Sequence, residues 1–115
     1  MEDSILNFEE KMWRLLELSR ERMPELNESY YGGVSKTVYA EGALDTKTKR
    51  LMSLAVAVQA GCTNCMISQT SRALELGATV EEVIESCAVA ISMGGTLAWS
   101  KAMTVFEYLR ERGLI

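Results

Sequence analysis

Histidine is absent from all 115 residues. Without an imidazole the chain lacks the usual general base near neutral pH, and every His-ligated metal site is excluded. Proline occurs once, at Pro24, and the alternating β-branched runs that mark strands are nearly missing. No apolar stretch approaches the ~20 residues of a membrane-spanning helix. The start, Met1, Glu2, Asp3 and Ser4, is acidic where a signal peptide would be basic. The expectation is therefore a cytoplasmic protein with no membrane partner. Basic residues are in the minority, 12 Lys and Arg against 16 Asp and Glu, for a net charge of −4. Binding nucleic acid requires a clustered basic face, and none is legible, so no nucleic-acid partner is expected.

What is present is helical. Hydrophobic residues make up 48% of the chain, weighted toward Leu, Ala, Glu and Met, which are strong helix formers. The length suits one domain, residues 1–115, with a core that needs no metal or disulfide. Ile5, Phe8, Met12, Leu15 and Leu16 repeat at helical spacing and predict a first helix to about Arg22. Pro24 fits the first turn of a second, which Gly32 and Gly33 weaken. Asp45 or Thr46 caps a third helix, apolar nearly all round from Leu51 to Val58 and so expected to be central and buried. Gly61 ends it, and Cys62 to Leu76 forms a fourth, stopped by Gly77. Thr79 and Glu82 make a capping box for a fifth through Ile91. Gly94 and Gly95 end that one, and a sixth runs from about Thr96 to Arg112. The expected fold is all-α, about six helices, with the third to fifth forming the core.

Three cysteines are too few for a disulfide framework, but two stand as Cys62-Thr63-Asn64-Cys65. At that spacing on a helix the two side chains share a face, close enough to bridge or to hold a ligand together. A helix beginning at Gly61 or Cys62 turns its unpaired N–H groups toward a thiolate and lowers the thiol pKa. One sulfur can then attack and the other resolve the mixed disulfide or sulfenic acid. The bland alternative is two buried cysteines without chemistry. A structural zinc site needs four ligands, and Cys87 is the only other thiol, so no metal and no cofactor is expected.

From Gly42 to about Gly95 the chain carries Gly-Ala-Leu-Asp-Thr-Lys-Thr-Lys, Leu-Ala-Val-Ala-Val, Gly-Cys-Thr-Asn-Cys, Ala-Leu-Glu-Leu-Gly-Ala-Thr, Glu-Glu-Val-Ile-Glu and Met-Gly-Gly, in that order. This half of the chain resembles the carboxymuconolactone decarboxylase family, and within it the AhpD-like alkylhydroperoxidase branch. The resemblance implies an all-helical subunit assembling into a trimer or hexamer. It also implies a Cys-x-x-Cys pair, here Cys62 and Cys65, that reduces a hydroperoxide or exchanges with a partner-protein disulfide. The family motif adds a His four residues after the second Cys and a Glu twelve residues before the first, which relay protons to the thiols. Those positions hold Gln69 and Arg50.

An amide at Gln69 can donate a hydrogen bond to a thiolate but cannot take its proton; otherwise it is a solvated or interface side chain. Arg50 lies about 18 Å of straight helix before Cys62. It reaches the cysteines only if the fourth helix folds back along the third or a second subunit supplies the contact. There a permanent cation would stabilise a thiolate; otherwise it is a surface charge. Cys87 falls on an apolar face as a small core residue, and Met12, Met52, Met66, Met93 and Met103 read as fillers of the core or of subunit contacts. Trp13 and Trp99 could line a pocket or a packing seam, and Gly94 and Gly95 could offer N–H groups to an anion or merely break a helix. Three functions follow: a thiol–disulfide oxidoreductase, a lactone-decarboxylating lyase short of proton donors, or a non-catalytic oligomeric binding protein that has lost the relay.

Overall fold

The computed structural model describes residues 4–115. Met1 and the acidic Glu2 and Asp3 lie outside the described residues. The hydroxyl of Ser4 accepts the Asn7 N–H at 3.0 Å and opens helix α1 (Ile5–Arg22). Pro24 opens α2 (Pro24–Ser29), where its missing N–H costs nothing. Through Tyr30–Ser35, around Gly32 and Gly33, the helix widens to π-helical geometry before the single turn of α3 (Lys36–Val38). The Asp45 carboxylate accepts the Thr48 N–H at 2.8 Å and caps α4 (Thr46–Ala60). Helix α5 (Thr63–Glu75) follows, and Thr79 and Glu82 form the capping box of α6 (Val80–Glu111). Lys47 donates to Glu82 at 3.1 Å, tying the start of α4 to the start of α6. No strand occurs among the described residues.

The core is the seam between α4, α5 and α6. Leu54, Ala57 and Val58 meet Met66 and Ala73, and both groups meet Val83, Cys87 and Ala90. The expected core stopped at the fifth predicted helix, whereas Ala98, Ala102, Val105 and Leu109 extend it along the rest of α6. The fifth and sixth predicted helices are in fact one helical run with a kink at Gly95 (φ 68°, ψ −147°), a conformation open in practice only to glycine. Beside it, a methyl group on Gly94 would stand 2.5 Å from Gln59 Oε1 and 2.7 Å from Ala98 Cβ. Gly94→Ala and Gly95→Ala are each expected to cost about 1–3 kcal/mol, seen as a lower urea midpoint. Gly33→Ala, whose methyl meets nothing within 4 Å, should not lower it.

Two other expectations need correction. Helix α4 is central but not buried all round, since Met52 and Val56 face outward. And α6 is long and apolar enough, by length and composition, to cross a membrane, because its two halves add up once the glycine pair kinks the helix instead of interrupting it. The same composition describes a core helix, which one face of α6 is.

Helix α1 contributes no buried residue. Its carboxylate Glu9 accepts from Trp13 Nε1 at 3.1 Å and from the buried Tyr108 hydroxyl at 2.8 Å, and Arg112 donates to the same hydroxyl at 3.0 Å. These bonds hold α1 against the end of α6 and leave its apolar face over a cleft.

Candidate functional site

Helix α4 ends in a Schellman turn, with Gly61 N–H on Val58 O and Cys62 N–H on Ala57 O, both at 3.1 Å. Gly61 sits at φ 74°, and a methyl there would also press on the Lys101 side chain at 3.3 Å. The chain reverses in this one turn, so α5 packs back along α4. Cys62 is the N-cap of α5, its sulfur accepting the Cys65 N–H at 3.2 Å. The two cysteines are joined as a disulfide with Cα atoms 5.2 Å apart. Cys62 is half-buried and Cys65 exposed. Once the pair is reduced, the same N–H and the positive end of α5 favour a thiolate.

The fold-back also brings Arg50 to Gln69. Arg50 Nη1 donates to Gln69 Oε1 at 3.2 Å, and its guanidinium lies 3.5 Å above the centre of the Tyr39 ring. Tyr39 is held in turn: its hydroxyl shares a short hydrogen bond with Ser53, and its carbonyl accepts from Thr46 Oγ1 at 2.7 Å. Arg50 is thus a partly buried group of the site rather than a surface charge. Burial, and then the neighbouring Arg72 cation, lower its pKa from the ordinary arginine value. Among the described residues neither Arg50 nor Gln69 hydrogen-bonds a sulfur of the disulfide; the bond open to the Gln69 amide is one to a thiolate, which only the reduced pair presents.

Arg50, Cys65, Gln69 and Arg72 line one cleft of about 690 Å³ between α1, the π-helical segment and α5. Trp13 is in its wall, with the Arg72 guanidinium 5.5 Å from its ring, so one of the two tryptophans lines a pocket. Trp99 does not, and is exposed on α6. The sequence marks Phe8 only as part of an apolar helix face and gives Lys11, Tyr30, Tyr31, Tyr39 and Arg72 no place in a site, yet all six line this cleft. The one local signal was the Tyr-Tyr-Gly-Gly run at residues 30–33, which widens the helix at the cleft edge. Of the five methionines read from the sequence as fillers, Met66 is core, Met12 lines the cleft, and Met52, Met93 and Met103 are exposed. No group of three or more potential metal ligands occurs among the described residues.

Cys87 is buried in the core, where desolvation pushes its thiol from 9.0 to about 11. Only on the order of 10⁻³ of it would be thiolate at pH 8. Iodoacetamide is therefore expected to label Cys62 and Cys65 after dithiothreitol and to leave Cys87 unlabelled until the protein unfolds, as peptide mass spectrometry would show. Because the folded pKa lies above the unfolded one, the stability gained by burying the neutral thiol is complete below about pH 9. It is lost as pH rises through about 11.

Residues 24–108 match the carboxymuconolactone decarboxylase family. An uncharacterised protein of Cupriavidus necator is 39% identical over 84 residues, 70% of this chain and 74% of its own. The uncharacterised protein 4 of the cox locus of Paracoccus denitrificans is 37% identical over 78 residues, 68% of this chain and 70% of its own. A carboxymuconolactone decarboxylase family protein of Legionella pneumophila has a crystal structure similar at a TM-score of 0.80 and 31% identity, covering 89% of this chain and 90% of that one. Another, from Thermotoga maritima and proposed to act in an antioxidative response, gives 0.65 at 29% identity over 77% and 93%. The match runs from the start of α2 almost to the end of α6, across every element that builds the cysteine hairpin, and the chain belongs to the carboxymuconolactone decarboxylase family.

Proposed function

We propose that the protein is a cytoplasmic thiol–disulfide oxidoreductase of the AhpD-like kind, a homo-oligomer that reduces a hydroperoxide or a partner-protein disulfide through Cys62 and Cys65. The observation that carries this reading is the disulfide at the N-terminus of α5 with Cys65 lining the cleft. Cys65 is the attacking sulfur: it is exposed and faces the space a substrate would enter, and the Arg50 and Arg72 charges of that cleft, rather than the N–H that serves Cys62, favour its thiolate. Its thiolate attacks the terminal oxygen of the hydroperoxide, the O–O bond breaks, and the leaving alkoxide takes a proton from water to give the alcohol. The Cys62 thiol then displaces water from the Cys65 sulfenic acid, closing the disulfide. An external dithiol returns the two electrons by exchange.

Arg50 and Arg72 replace a proton relay with fixed positive charge. They favour a thiolate at the cleft but cannot carry its proton away. That same Arg50–Gln69 pair is the specific feature favouring the second reading, a binding protein on the family scaffold without turnover. Lactone decarboxylation is third, since it needs a proton donor at the developing carbanion and the cleft offers neither imidazole nor carboxyl group.

The deciding experiment adds peroxide to the reduced protein and follows the Cys62–Cys65 peptide by mass spectrometry. Disulfide should form in the wild type, and dimedone should trap Cys65 in Cys62→Ser. A pair that oxidises no faster than a free dithiol would remove the reading.

A further inference from the structure

Charge in the cleft runs opposite to charge in the chain. Acids outnumber bases overall, 16 to 12, yet the cleft wall holds Lys11, Arg50 and Arg72 and no Asp or Glu. None of the three takes part in an ion pair among the described residues, where Arg14, Lys47 and Arg110 are the paired cations. Arg50 spends one N–H on Gln69 and its flat face on Tyr39, which leaves further guanidinium donors for a guest. Arg50 is held partly buried beside the Arg72 cation, which disfavours the Arg50 charge, and an arriving anion would relieve that repulsion.

The rest of the wall is apolar and aromatic. Five of the eight aromatic residues of the chain, Phe8, Trp13, Tyr30, Tyr31 and Tyr39, surround the space. A bare inorganic anion would leave those rings uncovered, whereas about 690 Å³ is the size of a pocket for an organic molecule. Planar guanidinium groups suit a carboxylate in particular, since they can donate two parallel hydrogen bonds to it.

We propose that the cleft binds a small organic carboxylate, its charged end on Arg50 and Arg72 and its aromatic or acyl body against Trp13, Tyr31 and Phe8. The consequence for catalysis, that such a molecule presents its hydroperoxide or disulfide to Cys65, rests on the function proposed above. The binding itself does not.

The test is calorimetry on the oxidised protein with three probes: 1-naphthylacetate, its neutral analogue 1-naphthylacetamide, and inorganic phosphate. The acid should bind about tenfold or more tightly than the amide and than phosphate. Arg50→Gln combined with Arg72→Gln should erase the preference for the acid while amide binding persists, which also shows that the cleft is still folded. Arg110→Gln, outside the cleft, should keep the preference. Equal binding of acid and amide, a preference that survives the double change, or phosphate binding as tightly as the acid would each overturn the proposal. Should the double variant lose the amide as well, the single changes Arg50→Gln and Arg72→Gln decide: a preference for the acid weakened in each while the amide still binds supports the site, and an unchanged preference in both removes it. Hydrogen peroxide, which needs no anchor, tests the thiol chemistry separately. If it closes the Cys62–Cys65 bond while acid and amide bind alike, the carboxylate site falls and the oxidoreductase stands. If the acid is preferred but peroxide leaves the pair reduced, the reverse holds.

Discussion

Gln69→His combined with Arg50→Glu is expected to raise the rate of peroxide reduction near neutral pH by about 10²–10⁴, the contribution of a positioned general base. Both positions already meet: Arg50 Nη1 is 3.2 Å from Gln69 Oε1, and Gln69 lies four residues beyond Cys65 on α5. A carboxylate at 50 would then accept the N–H of an imidazole at 69, fix its tautomer, and leave the other nitrogen free to take the thiol proton. Arg72, which faces Arg50 closely enough to lower its pKa, would face the new carboxylate as an opposite charge.

Neither single change suffices. His alone would sit against the Arg50 cation, its pKa lowered and its ring nitrogen occupied by the guanidinium. Glu alone would hold an amide that carries no proton. In the wild type the rate should climb with pH to the pKa of the attacking thiol and show one inflection; the double variant should show a second, from the imidazole. Cys65→Ser is the control and should be inactive in either background. A double variant no faster than wild type would mean that the cleft no longer accommodates the chemistry, and the binding-protein reading would gain.

Locally encoded features were legible in the sequence. Helix caps depend on a few consecutive residues, which is why Pro24, Asp45, Gly61 and the Thr79–Glu82 box punctuate the chain where expected. Cysteines three apart at a helix start place themselves. The company they keep is another matter, because Arg50 meets Gln69 across 19 residues and Arg72 meets Trp13 across an even longer stretch. No periodicity encodes either contact; both follow from the one-turn reversal at Gly61 and from the Glu9–Tyr108 bond that holds α1 in place.

Helix α1 shows the limit most clearly. Its apolar stripe is real, but periodicity reports that a face is apolar and not what covers it. Here the stripe walls an open cleft instead of closing a core. The glycine pair of α6 has the same ambiguity, since two glycines can end a helix or bend it. The close approach of Gln59 and Ala98 to Gly94, which only the packed structure contains, goes with a bend.

Met93→Glu combined with Leu97→Glu is expected to turn the protein from a trimer or hexamer into a monomer in sedimentation at micromolar concentration. The outer surface of α6 carries Val89, Met93, Leu97, Trp99 and Met103, and α4 adds Met52 and Val56. Met93 is 81% exposed and Leu97 69%. That is far more apolar surface than a water-facing helix normally shows, and such patches mark interfaces. Fully burying two such side chains contributes about 3–6 kcal/mol. Replacing them by carboxylates loses that contribution and adds the desolvation of two unpaired charges, so association should weaken by at least about a thousandfold. Circular dichroism should be unchanged, because neither side chain belongs to the core. The length and apolar composition of α6 make the alternative specific: if the stripe faced lipid, the wild type would be monomeric in mild detergent and would float with neutral vesicles, and the same two substitutions would release it. A wild type that is monomeric without detergent and ignores vesicles would show that neither a second copy nor a membrane covers this face.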